Sequence, residues 1–357
     1  MKIAKYTEVT RWIQSRMQDG TFSPGAQIIP ENELCRTLGV SRDTVRSALS
    51  VLENEGTIIK IRGKGTFVSA NYGADLPGRK RIAVVTTYVN SYIFPKTISG
   101  IENVLADNGY SVQISFTNNA VERERAILED LILKNDVAGV IIEPTKSGLP
   151  NPNLPLYRTL KNMRIPILFI NSGYSELDIP CVSLDDKSVA LHAVKYLIRA
   201  GHKKIGAVLK LDDGQGHRRY AGYIEALRAA DLSIDDSCVI WIDTEDLRDL
   251  DRGKERILSR LSECTAVFGY NDEVAFLLIG MFREAGRRVP EDVSIVGIDG
   301  SDLSSIGEVK IVTVPHPMNR LGEKAAENLL KMIENSAFDG SFLFDPKVIP
   351  GTSVLRI

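Results

Sequence analysis

Residues 41–46, with the sequence Ser-Arg-Asp-Thr-Val-Arg, place two arginines four positions apart, which is about one turn of a helix. An arginine can donate two hydrogen bonds to guanine O6 and N7, and the methyl group of Thr44 can contact a thymine methyl. Cations and glycines alternate soon afterwards, in residues 62–65 (Arg-Gly-Lys-Gly), as at a hairpin tip that approaches a phosphate backbone closely. These residue types and spacings predict contact with the major groove and phosphates of DNA.

Helical periodicity supplies the elements that must position these groups. Residues 5–19 predict a helix with one apolar stripe, and a second short helix ends at a turn at Gly39. Ser41 is the expected N-cap of the third helix, and the β-rich runs 57–61 and 66–68 predict a hairpin around the cationic tip. The expected DNA contacts are Lys5, Ser41, Arg42, Thr44, Arg46, Arg62, Gly63 and Lys64. Asp43 could accept a hydrogen bond from cytosine N4 or only cap the helix, and the sequence leaves both open.

Charge is unevenly distributed along the 357 residues. Residues 1–80 hold 12 Lys and Arg against 8 Asp and Glu, a net charge of +4. The whole chain has a net charge of −2, so the remainder carries −2 − 4 = −6. A basic head on an acidic body fits nucleic-acid binding by the head alone. The length predicts two or three folded units.

Several classes of protein are disfavoured by the composition. The N-terminus, MKIAKYTEVTRWIQ, has no continuous apolar core, so no signal peptide is expected, and no apolar run is long enough for a membrane span. The four cysteines lie far apart and lack CxxC spacing, which favours reduced core thiols in a cytoplasmic protein. No cofactor, metal site or catalytic residue is predicted.

Beyond a linker at residues 70–80, which contains Gly73, Pro77 and Gly78, strands and helices alternate to the end of the chain. Strands are expected near 82–86, 112–116, 137–142, 166–170, 181–184, 205–209, 238–242, 265–270 and 294–298, and helices near 96–108, 121–134, 187–200, 217–230, 249–262 and 272–286. This βαβ repetition predicts parallel sheets, and roughly ten strands favour two consecutive α/β lobes. The expected domains are therefore residues 1–69, the linker 70–80, and a two-lobed body at 81–357.

Ligands of such folds bind beyond the carboxyl ends of the strands, where this chain carries polar and aromatic residues. Any one of them could be only a helix cap or a loop charge, but their shared placement suits a small polyol. Carboxylates, an arginine and an amide can bond hydroxyls, and rings can stack on the C–H faces of a sugar. The predicted ligand contacts are Tyr92, Phe94, Glu143, Arg219, Asn271, Asp299 and His316, with Tyr88, Asn171 and Asp185 nearby.

The head resembles the GntR family of winged helix-turn-helix regulators. The motifs that carry this resemblance are Pro30-Glu31-x-Glu33-Leu34, Leu38-Gly39-Val40-Ser41-Arg42-x-Thr44-Val45-Arg46-x-Ala48-Leu49, Leu52-Glu53-x-Glu55-Gly56 and Arg62-Gly63-x-Gly65-Thr66-Phe67-Val68. The resemblance implies an α+β winged helix-turn-helix fold. It also implies that Arg42, Thr44, Arg46 and the tip from Arg62 to Lys64 touch double-stranded operator DNA.

The body resembles the effector domain of the LacI/galactose-repressor family, whose fold is shared with periplasmic sugar-binding proteins. Matching motifs include Phe94-x5-Gly100-Ile101-Glu102, Asp185-Asp186, Arg219-x2-Gly222-Tyr223, Asn271-Asp272-x2-Ala275, Val289-Pro290-x-Asp292-Val293-Ser294 and Leu321-Gly322-x2-Ala325. The resemblance implies that Arg219, Asn271 and Asp299 bond sugar hydroxyls and that His316 lies on the closing segment. Gly300 departs from the Asp or Asn that the family usually has there, and a GntR-type head replaces the family's own.

Head and body together resemble a family of sugar-responsive repressors in Gram-positive bacteria, through Thr87-Tyr88-x3-Tyr92-Ile93-Phe94-Pro95, Glu143-Pro144-Thr145-Lys146-Ser147 and Tyr270-Asn271-Asp272-Glu273. This resemblance implies L-arabinose as the inducer, whereas composition and spacing reach only a small polar ligand, a sugar. A different pentose or hexose, or activation instead of repression, stays open.

A homodimer on a pseudo-palindromic operator is expected, with the helix at 96–108 as a candidate contact. An enzyme is disfavoured because the four histidines stand in no catalytic frame, and a transport receptor is disfavoured by the basic head.

Overall fold

The computed structural model describes residues 5–69, 80–89 and 92–357, so residues 70–79 of the predicted linker lie outside the described residues. The first unit, residues 5–69, is called the head. It consists of α1 (Lys5–Gln18), α2 (Glu31–Leu38), α3 (Arg42–Asn54) and the antiparallel strands β1 (Ile58–Ile61) and β2 (Gly65–Val68). This three-helix unit with a β-hairpin, here called the wing, is the predicted winged helix-turn-helix.

Local signals set the turn between α2 and α3. Gly39 has a φ of 62°, a left-handed conformation that glycine adopts without a steric penalty, and it ends α2. Ser41 then caps α3, because its side chain accepts a hydrogen bond from the Thr44 amide at 3.3 Å. The apolar sides of the three helices meet in one core that contains Val9, Ile13, Leu34, Val45, Leu49, Leu52 and Ile58.

The body begins with lobe one, formed by residues 81–184 and 318–345. Its elements are β3 (Arg81–Thr86), α4 (Phe94–Asp107), β4 (Ser111–Phe116), α5 (Val121–Lys134), β5 (Gly139–Ile142), α6 (Leu154–Asn162), β6 (Ile167–Ile170) and β7 (Cys181–Leu184). The six strands of its parallel sheet stand in the order β12-β7-β6-β5-β3-β4, where β12 (Phe342–Phe344) is contributed from near the end of the chain. Buried strands such as Gly139–Ile142 are apolar throughout because helices cover both faces of the sheet.

Lobe two is formed by residues 185–314 and 348–357. It contains α7 (Asp186–Arg199), β8 (Ile205–Lys210), α8 (Gly214–Ala229), β9 (Val239–Ile242), α9 (Thr244–Arg248), α10 (Lys254–Arg260), β10 (Ala266–Gly269), α11 (Asp272–Glu284), β11 (Ser294–Val296) and α12 (Leu303–Ile306). Its parallel sheet has the order β11-β10-β8-β9. The long helix α13 (Met318–Glu334) returns the chain to lobe one, where it packs against α4. The prediction of two α/β lobes is confirmed, but the lobes are not consecutive along the chain, because α13 and β12 return to lobe one and the last residues to lobe two.

The prediction of a single helix at 249–262 is wrong. The structure has α9, a 3-10 turn at Leu250–Gly253, and α10. Asp243 forms a capping box that starts α9 early, and the extended backbone of Asp249, with φ −146° and ψ 67°, stops it. Helices α6, α12 and α13 and strand β12 were not among the predicted elements. No helix within the described residues combines the length and the apolar character needed to cross a membrane.

Candidate DNA-binding head and ligand cleft

Helix α3 presents its predicted reading residues on the surface of the head. Arg42 and Arg46 are exposed, whereas Val45 and Leu49 on the opposite side are buried. The Ser41 hydroxyl lies 2.8 Å from the Thr44 hydroxyl, so Ser41 works as a cap and engages the polar side of Thr44. Arg42 and Arg46 thus lie on the exposed side of the helix, as predicted for residues that contact a base edge.

Two of the other predicted DNA contacts are paired within the protein. Arg46 Nε donates to Glu31 Oε2 at 3.0 Å, and Lys64 Nζ at the wing tip lies 2.8 Å from Glu129 Oε2 of lobe one. Sequence reasoning had no signal for either pair, because the partners are far apart along the chain. The remaining predicted contacts, Lys5, Arg62 and Gly63, are exposed.

A cavity of about 520 Å³ lies between the two lobes. Its size is in the range of small-molecule sites. All seven predicted ligand residues line it, namely Tyr92, Phe94, Glu143, Arg219, Asn271, Asp299 and His316. Tyr92, Phe94 and Glu143 come from lobe one and Arg219, Asn271 and Asp299 from lobe two, so a ligand in the cavity would touch both lobes.

Arg219 of α8 is the centre of a buried ion cluster. Its Nε donates to Asp186 Oδ1 at 2.8 Å, and its Nη2 lies 3.5 Å from Asp299 Oδ1. The guanidinium also donates to the Tyr270 carbonyl at 2.6 Å and lies over the Tyr270 ring. Burial lowers the pKa of Arg219, but the two carboxylates outweigh burial and raise it above its usual value. The cluster is thus held charged, with one guanidinium between two carboxylates.

Tyr92 bridges the lobes through the same cluster. Its hydroxyl donates to Asp299 Oδ2 at 2.7 Å. Burial, followed by the charge of Asp299, raises the pKa of Tyr92 well above its usual value, which keeps the hydroxyl protonated. Asp299 itself has a φ of 105°, a conformation that side-chain-bearing residues rarely adopt.

A second chain of hydrogen bonds begins at Glu143. This carboxylate accepts from the Thr87 amide at 2.9 Å and from Asn171 Nδ2 at 2.8 Å. His316 Nε2 lies 3.1 Å from Asn171 Oδ1, an acceptor, which assigns the ring proton to Nε2. Burial lowers the pKa of His316 to about 4, so the ring is neutral and its Nδ1 is an acceptor. This Nδ1 has no hydrogen-bond partner within the described residues.

Asn271 serves partly as a helix cap. Its Oδ1 accepts from the Val274 amide at 2.9 Å at the start of α11, which leaves its amide nitrogen for a ligand. Gly300, the departure from the LacI pattern, has a φ of 57°, and a Cβ there would come within 3.0 Å of Pro315. Both the backbone conformation and the limited space therefore favour glycine at this position.

Several cleft residues were missed by sequence reasoning. Lys210 ends β8 as a buried lysine whose Nζ donates to Asp213 at 2.7 Å. Burial lowers the pKa of Lys210, but Asp213 and Asp212 together raise it above its usual value. The rule that polar residues follow strand ends would have found all three. It selected Asp185, which instead caps α7, while its neighbour Asp186 holds Arg219.

The site suits recognition of a neutral, hydroxylated molecule. Arg219 and Lys210 each face two carboxylates, so the site offers donors and acceptors for hydroxyl groups, and its excess of carboxylates disfavours an anionic ligand. Among the described residues, no group of three metal-ligating side chains comes together.

Comparison with known proteins supports the predicted folds of the head and of the body. Residues 5–68 match the family model of bacterial regulatory proteins of the gntR family, and residues 194–354 match that of a periplasmic binding protein-like domain. Among solved structures, the chain is similar to the transcription regulator CcpA of Lactococcus lactis, with a TM-score of 0.68 and 24% identity over 77% of this chain and 99% of that one. A lac repressor dimer bound to operator and the anti-inducer ONPF gives a TM-score of 0.68 and 20% identity over 80% and 97%. These likenesses establish the predicted LacI-type fold of the body.

Two curated relatives match nearly the full length of the chain. One, from Geobacillus stearothermophilus, is 38% identical over 361 residues, which is 99% of each chain, and is named arabinose metabolism transcriptional repressor. A relative of the same name from Halalkalibacterium halodurans is 37% identical over 97% of this chain and 95% of its own. The chain belongs to the family of arabinose metabolism transcriptional repressors.

Proposed function

We propose that this repressor binds operator DNA through its head and is released when L-arabinose occupies the cavity between the lobes. The observation that carries the proposal is the 520 Å³ interlobe cavity lined by a pre-paired Arg219–Asp186–Asp299 cluster. Because carboxylates outnumber the cation in this cluster, it disfavours an anionic ligand, and its donors and acceptors suit a ligand rich in hydroxyls. The choice of L-arabinose among such ligands rests on the names of the two full-length relatives.

In the proposed complex the sugar links the two lobes. Glu143 of lobe one and Asp299 of lobe two accept hydrogen bonds from hydroxyls, while Arg219 and Asn271 donate to them. His316 Nδ1 accepts another hydroxyl proton, and the rings of Tyr92 and Phe94 pack against the C–H face. Because these contacts need both lobes at once, the sugar binds the closed arrangement more tightly than the open one.

The DNA contacts are proposed to come from Arg42, Arg46 and Thr44 in the major groove and from Lys5, Arg62, Gly63 and Lys64 at phosphates, with Ser41 positioning the helix. The division into a DNA-binding unit at 1–69, a linker at 70–80 and a sugar-binding and dimerisation unit at 81–357 belongs to the same proposal. Two heads in a two-fold dimer would meet two half-sites, and lobe closure would change the spacing of the heads. A coupling of ~1–3 kcal/mol, typical of allosteric proteins, changes operator affinity several-fold to a hundred-fold.

Gel-shift titrations of the full-length protein on its operator test this proposal. They are run without sugar and with saturating L-arabinose, D-xylose, D-ribose or D-galactose, beside calorimetric titration of each sugar. We expect L-arabinose to bind and to weaken operator binding at least several-fold. Release by another sugar would keep the repressor and replace the ligand, whereas operator affinity unchanged by every sugar that binds would remove the switch.

A further inference from the structure

The wing is apolar on both faces, and each face packs on a different unit of the protein. Ile58 belongs to the core of the head, whereas the next residue, Ile59, is fully buried in the core of lobe one beside Leu128 and Leu131. Successive residues of a strand point to opposite faces, so the hairpin is a layer between the head and lobe one. Phe67 on the paired strand also packs against the lobe-one core.

Helix α5 of lobe one supplies two polar contacts to this layer. Asn135, its C-cap, donates through Nδ2 to Ser69 Oγ at 3.0 Å, and both residues are buried. Glu129 lies six residues before Asn135 and accepts a hydrogen bond from Lys64 Nζ at 2.8 Å. The side chain of Lys64 is 61% exposed and that of Glu129 only 14% exposed. A proposed DNA contact is thus engaged by an acid of the body.

The other end of α5 is tied to the cleft. Asn119, two residues before the helix, donates across the lobes to Thr244 Oγ1 at 2.6 Å and approaches Asp212 Oδ2 at 3.3 Å. Glu124 in the first turn is fully buried and accepts from Tyr157, Tyr174, Asn151, Asn153 and the Thr145 amide. Its partners include the loop that follows Glu143, whose Ser147 in turn accepts from the Gly214 amide of lobe two at 2.9 Å.

We propose that α5 couples the cleft to the wing. Glu129 competes with DNA phosphate for Lys64 when the contact between Asn119 and Thr244, here called the latch, joins the two lobes. At 1.5 Å per residue the helix spans about 20 Å, enough for one rigid element to contact lobe two at one end and the wing at the other. Ile59 and Phe67 hold the hairpin in place, so only the Lys64 side chain has to exchange one anion for another. Loss of the Asn119 contact frees the cleft end of α5, so Glu129 is then held less firmly beside Lys64.

This inference rests on the proposed contact between the wing tip and DNA. A partly exposed ion pair is of modest strength, so its removal changes operator affinity by roughly two- to five-fold. The effect is expected with L-arabinose bound, when the latch is closed, and is smaller without it. The apparent induction ratio therefore falls in a variant that lacks the acid.

The test uses four full-length variants: Glu129→Gln, Glu122→Gln, Lys64→Ala and the double variant Lys64→Ala/Glu129→Gln. Glu122 is exposed about two turns nearer the cleft end of the same helix, so its replacement removes the same charge without removing the partner of Lys64. Operator affinity is measured by gel shift with and without saturating L-arabinose, and calorimetry verifies that each variant still binds the sugar.

We expect Glu129→Gln to bind the operator roughly two- to five-fold more tightly than Glu122→Gln in the presence of sugar. We expect Lys64→Ala to bind it more weakly than the parent, and Glu129→Gln to have no further effect in that background. If Lys64→Ala weakens binding while the two glutamine variants behave alike, the proposed coupling by Glu129 is overturned. The proposed contact between the wing tip and the operator is then retained. If Lys64→Ala binds as the parent does, the wing-tip contact of the proposed function fails, and this inference fails with it.

Discussion

The head and the cleft use the same charged residue types in opposite surroundings. The side chain of Arg219 in the cleft is 4% exposed and engages two buried carboxylates, whereas that of Arg46 on the head is 63% exposed and meets one half-exposed acid. Surface charges are screened by salt and gain little from pairing, so even the paired cations Arg46 and Lys64 can exchange their acids for a highly charged partner. Buried charges are costly to leave alone, so the cleft pairs them in advance.

This difference separates the two forms of recognition. Binding of DNA by the head is expected to weaken steeply with salt, because each neutralised phosphate releases condensed counterions. Binding of a neutral sugar in the cleft releases none and is expected to be nearly independent of salt. Altering one charged residue in each region tests whether burial and pairing account for this difference.

The largest effect is expected for Arg219→Ala. The substitution leaves Asp186 and Asp299 buried without their cation, which destabilises the fold by about 3–5 kcal/mol. Sugar binding is also expected to be lost, while the head continues to bind operator below the unfolding temperature. Denaturant unfolding, calorimetry with L-arabinose and gel shifts measure the three quantities.

Arg218→Ala is the matched control, because Arg218 is the exposed neighbour on the same helix. It is expected to change stability by less than about 0.5 kcal/mol. Equal losses of stability in the two variants would contradict the idea that the cluster is preorganised around Arg219.

His316 is expected to produce a pH dependence of stability of up to about 3 kcal/mol. Its pKa in the folded protein is about 4, below the usual 6.5, because burial disfavours the charged ring. Between these two values the unfolded chain takes up a proton that the folded chain does not. The contribution of His316 to stability is therefore intact above pH 6.5 and is lost as the pH falls towards 4.

The measurement is the free energy of unfolding of the parent minus that of His316→Gln, followed from pH 7 to pH 4. Asp272 opposes the trend in both proteins, because burial raises its pKa to about 7 and its cost disappears as the pH falls. Subtraction cancels this contribution. A difference that stays constant with pH would show that the ring takes up its proton as readily in the folded protein as in the unfolded chain.

Arg42→Ala tests the exposed side of the comparison and is expected to weaken operator binding by about 1–3 kcal/mol. Arg42 is free to place its guanidinium on a guanine, so the loss should be specific to one base position. Arg158 is an exposed arginine on α6 in the body, so Arg158→Ala is the matched control that removes the same charge. A loss shared by all sequences, with a smaller salt dependence, would reassign Arg42 to a phosphate.

Much of this architecture could be predicted because its causes are local. The N-cap Ser41, the turn at Gly39 and the periodicity of α5 are encoded within a few residues, and α5 begins and ends where the sequence predicts. Parallel strands also bring their carboxyl ends together, which is why Glu143, Asn271 and Asp299 meet in one cavity. The prediction of a repressor in place of an enzyme is confirmed by the family.

The parts that escaped prediction depend on tertiary contacts. Asp185 was selected because it directly follows a strand, but it caps α7, and the next residue, Asp186, contacts Arg219. The burial of Ile59 depends on a lobe far along the chain, although the adjacent isoleucines 58 and 59 were a signal that both faces of the wing are covered. Pairs such as Arg46 with Glu31 depend on how two helices cross, which periodicity does not encode.

The smallest effect is expected for Glu31→Gln, which frees Arg46 from its ion pair on the head. Because the pair is largely exposed, its loss should change stability by less than about 1 kcal/mol. Operator affinity should rise by a similar amount if Arg46 must leave Glu31 to reach a base, and this gain should vanish in an Arg46→Ala background. Glu33→Gln, an exposed acid in the same turn of α2, is the matched control for the lost charge. A fall in affinity with Glu31→Gln would mean instead that Glu31 holds the Arg46 guanidinium in its reading orientation, so that even an exposed charge of the head is preorganised as those of the cleft are.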